Sequence, residues 1–144
     1  MVLEYGRNHP KSEPENMTLT KPIIIHEPAQ PLEQTIDLPG GRTHWKTLLS
    51  ADRTPTDAMT VGITEIEPDQ IFLHQHAQPE VYYILAGHGV VQISGEEYAL
   101  QPGSLVFIPG DAPHGLRNTG HEVLRLLYIF AVDSLDQVEY KLPE

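Results

Sequence analysis

Between Gly40 and Val132 short β-type runs recur at close intervals, each ended by turn-forming residues, and the intervals leave no room for a long helix. The runs are Thr43–Leu49, Met59–Glu67, Ile71–His76, Glu80–Ala86, Gly89–Ser94, Glu97–Leu100, Ser104–Ile108, Gly115–Asn118 and Val123–Val132. Between them lie Pro68-Asp69, Gly87-His88-Gly89, Ser94-Gly95, Pro102-Gly103, Pro109-Gly110-Asp111 and Thr119-Gly120. Proline presets φ at such points, and glycine or aspartate enters the left-handed region that bulkier residues avoid. Many short strands without long helices make an all-β sandwich or barrel. Outside this span, Ile23-Ile24-Ile25 reads as a first strand, and Pro28 and Pro31 bar the segment after it from a central sheet. Asp133–Tyr140 reads as a short helical turn capped by Asp133, followed by an extended end.

A chain of 144 residues buries one core and is too short for two, so residues 21–144 are expected to form a single domain. Residues 1–20 are polar, rich in Pro, Glu and Asn, and without periodicity, which predicts a tail that is mobile unless a partner orders it. No helix-turn-helix pattern flanks the β-rich span, which argues against a transcriptional regulator. The net charge of −11 repels phosphate backbones and anionic membrane surfaces, so neither nucleic acid nor membrane is an expected partner. The same field favours a small-molecule substrate with a cationic group, although an acidic balance is also ordinary solubility chemistry. Met1 to Pro10 lack a basic region followed by an apolar run, so a cytoplasmic location is expected. There is no cysteine, hence any metal ligand must be His, Asp, Glu, Tyr or backbone.

Such ligands are concentrated in two islands, His74-Gln-His76-Ala-Gln-Pro-Glu80 and Pro109-Gly-Asp-Ala-Pro-His114. Three imidazoles and one carboxylate suit a single divalent first-row metal with positions left over for a substrate. Residues two apart on a strand project from the same face, so His74 and His76 are neighbours, Glu80 re-enters from the next run, and barrel closure would bring in His114. If Glu80 points inward, alternation sends Tyr82 and Ile84 inward as well, while Tyr83 and Leu85 face the other layer. Tyr82 then lies beside the metal, either as a base whose phenol a nearby cation acidifies, or as a core aromatic with its hydroxyl on a backbone carbonyl. His88 and His121 fall in turns and read as solvated; His44, next to Trp45, reads as lining a barrel mouth or capping a strand. Arg117 and Arg125 alternate with apolar residues, as outward or rim positions do, though arginine also binds substrate carboxylates.

The spacing reads His-x-His, three residues, Glu80, six residues, Gly87; then Gly103, five residues, Pro109, with His114 five on and Asn118 four further. This pattern resembles the two signature motifs of the cupin superfamily, which implies an antiparallel β-barrel of the jelly-roll, or double-stranded β-helix, type. Pro68 stands where the first motif usually begins with glycine, and Asp111 where the second usually has one. Both fall at turns and neither removes a ligand.

Beyond these motifs, the span from Gly41 to Tyr140 is similar to the small single-domain cupin lyases that cleave dimethylsulfoniopropionate into dimethyl sulfide and acrylate. The matching segments are His44-Trp45-Lys46, Leu48-Leu49-Ser-Ala51-Asp52, Glu80-Val-Tyr82, and Leu127-Tyr-Ile-Phe130 through Asp133 to Val138-Glu139-Tyr140. The resemblance implies a metal held by His74, His76, Glu80 and His114, with Tyr82 as the base and Tyr140 as a second tyrosine near the substrate. Lewis-acid chemistry of this kind is open to iron, manganese, nickel, cobalt or zinc. An iron-dependent dioxygenase is the leading alternative, and a non-catalytic small-molecule binder the second. Small cupins commonly pair, so a homodimer is expected, with Val123–Val132 or the Ile23-Ile24-Ile25 run burying its outer edge against a second copy.

Overall fold

The structure, a computed structural model, describes residues 21–34 and 43–142. The expected tail over residues 1–20 lies outside the described residues. Ten strands are present among the described residues: β1 (Glu33–Gln34), β2 (Thr43–Leu49), β3 (Thr60–Ile66), β4 (Ile71–His74), β5 (Glu80–Ala86), β6 (Gly89–Ile93), β7 (Glu96–Leu100), β8 (Leu105–Ile108), β9 (His114–Asn118) and β10 (Leu124–Phe130). Two antiparallel sheets form, one of six strands in the order β1-β2-β3-β10-β5-β8 and one of four in the order β4-β9-β6-β7. The nine strands expected between Gly40 and Val132 all exist, with ends that move by a residue or two, since the final residues of a strand lack ladder partners.

Alternation decides which residues fill the barrel. On the larger sheet the register aligns Trp45, Thr64, Leu126 and Ile84 in one inward row, and Thr47, Gly62, Tyr128, Tyr82 and Val106 in the next. A third row joins Thr60, Phe130, Glu80 and Ile108. Gly62 is required in the middle row, because a Cβ there would collide with the Tyr128 hydroxyl. Against these rows Val91 and Leu116 of the smaller sheet complete an apolar core that includes Ile66, Leu124 and Leu100.

Three sequence expectations are corrected. Ile23-Ile24-Ile25 forms no strand: Ile24 is 85 % exposed, and the 3-10 turn Glu27–Ala29 cuts the extended run short. The segment is held by ion pairs instead, Glu27 meeting Lys46 at 2.9 Å and Arg125 at 2.6 Å. Second, the helical turn is a three-residue 3-10 turn, Leu135–Gln137, with Ser134 at its N-cap and no side-chain cap. Asp133 is drawn away by the neighbouring loop, its carboxylate accepting the Ala58 N–H at 2.7 Å. Third, Tyr83 and Leu85 face no other layer among the described residues; they are 41 % and 39 % exposed.

Candidate metal centre

The β4–β9 ladder sets His74 directly opposite His114, so strand register joins the two islands. Glu80 opens β5 and points inward between its register partners Phe130 and Ile108. His76 lies past the end of β4, where the Asp111 N–H donates to its carbonyl at 2.9 Å. This contact needs both turn residues of the second island. Asp111 adopts φ 63°, the left-handed conformation that aspartate tolerates, and a side chain at Gly110 would collide with the Ala77 carbonyl. The turn at Pro68 follows the same logic, with Asp69 at φ 64°. Asn118 closes the far end of β9: its side-chain amide donates to the Ile66 and Glu122 carbonyls and its oxygen accepts the Gly120 N–H.

All four expected ligands are buried, none more than 4 % exposed, and their ligand atoms lie within 4.8 Å of one another. Glu80 Oε2 is 3.0 Å from His76 Nε2, 3.2 Å from His114 Nε2 and 4.0 Å from His74 Nε2. On the far side of two rings, His76 Nδ1 lies 2.8 Å from the Gln78 carbonyl and His114 Nδ1 2.7 Å from the Ala112 carbonyl. A carbonyl oxygen only accepts, so each Nδ1 carries a hydrogen, and in the neutral tautomer with that hydrogen the Nε2 lone pair is left facing Glu80. Two lone pairs then converge on a carboxylate oxygen. Acceptors so arranged repel unless a proton or cation sits among them, and backbone carbonyls orient metal-binding imidazoles in this way. The four residues therefore fit one divalent ion and could hold it.

The cluster opens on a cavity of about 200 Å³ whose wall includes Trp45, His74, Glu80, Tyr82, Tyr128 and Tyr140. Tyr82 is 2 % exposed, with its ring 6.2 Å from that of His114. Burial, and then the Glu80 charge, push its phenol well above the ordinary tyrosine value. Tyr140 stands at the mouth, half-exposed, its ring 5.3 Å from that of His74 and 5.5 Å from that of His76.

Residues 62–130 match the Cupin domain family. The dimethylsulfoniopropionate lyase DddW of Ruegeria pomeroyi is 38% identical over 121 residues, covering 83% of this chain and 79% of that protein. Among solved structures, a cupin 2 conserved barrel domain protein from Rhodopseudomonas palustris superposes with a TM-score of 0.68 at 22% identity, over 81% of this chain and 79% of that one. A predicted oxalate decarboxylase from Thermotoga maritima superposes with a TM-score of 0.67 at 23% identity, over 76% of this chain and 99% of that one. The chain belongs to the cupin superfamily.

In this cupin the two islands named from the sequence come together in one cluster that could hold a metal ion, while most of the cavity wall lies outside the motifs. Trp45 and Tyr128 enter it through the register of β2 and β10, and the alternation within Thr43–Leu49, with Trp45 inward and His44 outward, was the available signal. Neither arginine reaches the cavity. Arg117 pairs with Glu97 at 3.1 Å, and Arg125 with Glu27 and Glu65. Among the described residues, no lysine or arginine lines the cavity. His88 and His121 are exposed, as expected of turn residues. Among the described residues no helix is long and apolar enough to cross a membrane.

Proposed function

We infer that this cupin is a metal-dependent carbon–sulfur lyase that cleaves dimethylsulfoniopropionate, or a close β-sulfonium carboxylate, by β-elimination. The observation that carries the reading is the shared cavity: His74 and Glu80 of the four-residue cluster line one small chamber with Tyr82, in a chain similar over most of its length to a lyase of that name. At about 200 Å³ the chamber lies below the ~300–1,000 Å³ of sites for drug-sized ligands, which favours a small metabolite. Trp45, Tyr82, Tyr128 and Tyr140 supply aromatic rings that attract an onium cation, and among the described residues no lysine or arginine in the wall opposes one.

His74, His76, Glu80 and His114 would hold one divalent ion, of iron, manganese, nickel, cobalt or zinc, and it would supply Lewis acidity toward the substrate carboxylate. Tyr82, as phenolate, takes the proton from the carbon next to that carboxylate. The C–H electron pair becomes the carbon–carbon double bond, the bond from the neighbouring carbon to sulfur breaks, and the sulfonium leaves as neutral dimethyl sulfide. The phenol then returns its proton to solvent. Because burial and Glu80 both hold the phenol neutral in the protein alone, a cation offsetting the Glu80 charge is part of this reading. Tyr140, at the mouth, screens the chamber from water and orients the substrate.

Purified protein loaded with each metal in turn is assayed for acrylate and dimethyl sulfide, with and without oxygen. Equal release in both conditions is the expected result. Product formation that consumes oxygen points to the dioxygenase, and no product with any of the five metals overturns the lyase.

A further inference from the structure

Two segments outside the metal motifs, Leu48-Leu49-Ser50-Ala51-Asp52 and Asp133 to Tyr140, meet in space. Ser50 is fully buried and Ser134 is 4 % exposed. Both hydroxyls donate to one oxygen of Asp52, Ser134 from 3.0 Å and Ser50 from closer still. The Ser50 oxygen accepts the Leu135 N–H at 2.9 Å, and the Ala51 N–H donates to the Asp133 carbonyl at 2.8 Å. From this knot the chain crosses the cavity mouth, where Leu135, Tyr140 and Leu142 form part of the wall. Midway, the Gln78 side-chain amide donates to the Gln137 carbonyl at 3.2 Å. At the far side Gln75, between the ligands His74 and His76, exchanges two backbone bonds with Lys141 at 2.8 and 2.7 Å.

The segment from 133 to 142 is therefore a strap. Its own regular structure is one 3-10 turn and one isolated bridge, with Val138 as its buried apolar contact. A stretch with so little ladder opens locally at small cost unless its ends are fixed. At the Asp52 end the fixing bonds are charge-assisted, which makes them stronger than the neutral bonds at Gln75 and Gln78.

We propose that Asp52, acting through Ser50 and Ser134, is a positioning residue that holds this strap, and with it Tyr140, across the mouth of the cavity. It lines neither the ligand cluster nor the cavity; one oxygen takes the two hydroxyls, and the other meets Arg53 at 3.5 Å, away from the strap. The consequence for turnover rests on the lyase reading; the closure of the mouth does not.

Trp45 is the single tryptophan of the sequence and lines the same cavity, so its fluorescence reports the mouth directly. Acrylamide quenching is measured on the protein without metal or substrate. Asp52→Ala is expected to raise the quenching constant about twofold or more as the strap opens. Asp52→Asn, whose side-chain oxygen accepts from both hydroxyls, is expected to restore most of the wild-type value. Metal content after loading stays at the wild-type level in both, since all four ligands remain. If Asp52→Ala does not fold, Ser134→Ala is read in the same way, with a smaller rise expected. Wild-type quenching in a folded Asp52→Ala or Ser134→Ala protein, or no rescue by Asp52→Asn, overturns the proposal. Each outcome is obtained without dimethylsulfoniopropionate, so it is separate from the fate of the lyase assignment.

Discussion

Replacing Tyr82 by phenylalanine separates the chemical role of this residue from its structural one. The side chain is 2 % exposed and sits in register between Tyr128 and Val106, contacts that phenylalanine keeps. What is lost is one hydroxyl, and a buried hydroxyl contributes only about 1 kcal/mol net to stability. The melting temperature is therefore expected to move by a few degrees at most. Loss of a positioned acid–base group costs about 10²–10⁴ in rate, which at ~1.36 kcal/mol per tenfold is about 2.7–5.4 kcal/mol of transition-state stabilisation. The two numbers are far enough apart to decide between roles. Acrylate release gives kcat and KM, elemental analysis gives metal content, and thermal unfolding gives stability on the same preparation. The expected pattern is full metal, near-wild-type stability and a loss of at least about a hundredfold in kcat. Tyr140→Phe should cost less, because its half-exposed ring screens and orients substrate. A Tyr82→Phe protein that keeps most of its rate, or whose melting temperature falls steeply while turnover is spared, refutes the assignment of Tyr82 as base.

His76→Ala and Glu80→Ala should each lose the bound ion while far-ultraviolet circular dichroism stays that of the wild type, since the apolar rows, not the ligands, build the core. Chelation should abolish turnover and added divalent metal restore it; wild-type turnover by demonstrably metal-free protein would refute metal-dependent catalysis. Asn118→Ala leaves the Ile66 and Glu122 carbonyls and the Gly120 N–H without their partner, and urea unfolding should show a loss of about 2–4 kcal/mol. The outer face of the larger sheet aligns Leu127, Tyr83 and Leu105 in one row and Val61, Ile129, Val81 and Phe107 in another, with Tyr83, Leu105 and Phe107 exposed, an apolar surface that we propose meets a second copy of the chain. Light scattering should give a dimer mass that Phe107→Glu converts to the monomer, and a monomeric wild type at micromolar concentration contradicts this.

Much of this architecture was legible because period-two alternation is local. The run Glu80–Ala86 tells by itself that Glu80, Tyr82 and Ile84 share one face, and the structure buries all three. Turn residues are equally local, and Asp69 and Asp111 took the left-handed conformation their positions call for. What alternation does not carry is which strands become neighbours. His74 meets His114 through the β4–β9 register, and Trp45 reaches the cavity through β2, β3 and β10, pairings settled by the whole barrel. The motif spacing supplied His114 in advance, whereas nothing in the spacing marks Trp45 or Tyr128 as cavity wall.

The remaining misreadings share a cause, which is that a partner outside the run decided the outcome. Ile23-Ile24-Ile25 has the composition of a strand, yet the 3-10 turn Glu27–Ala29 cuts it short, and ion pairs from Glu27 fix its place. Asp133 has the composition of a helix cap, yet Ala58 claims its carboxylate and Ser50 takes the Leu135 N–H. Tyr83 and Leu85 have the composition of a second buried layer, and among the described residues no layer covers them. In the first two cases the competing group belongs to the same chain and the structure names it. In the third the apolar row runs from Leu127 through Tyr83 to Leu105, with Tyr83 and Leu105 exposed, and the layer that alternation calls for there is the second copy that light scattering would detect.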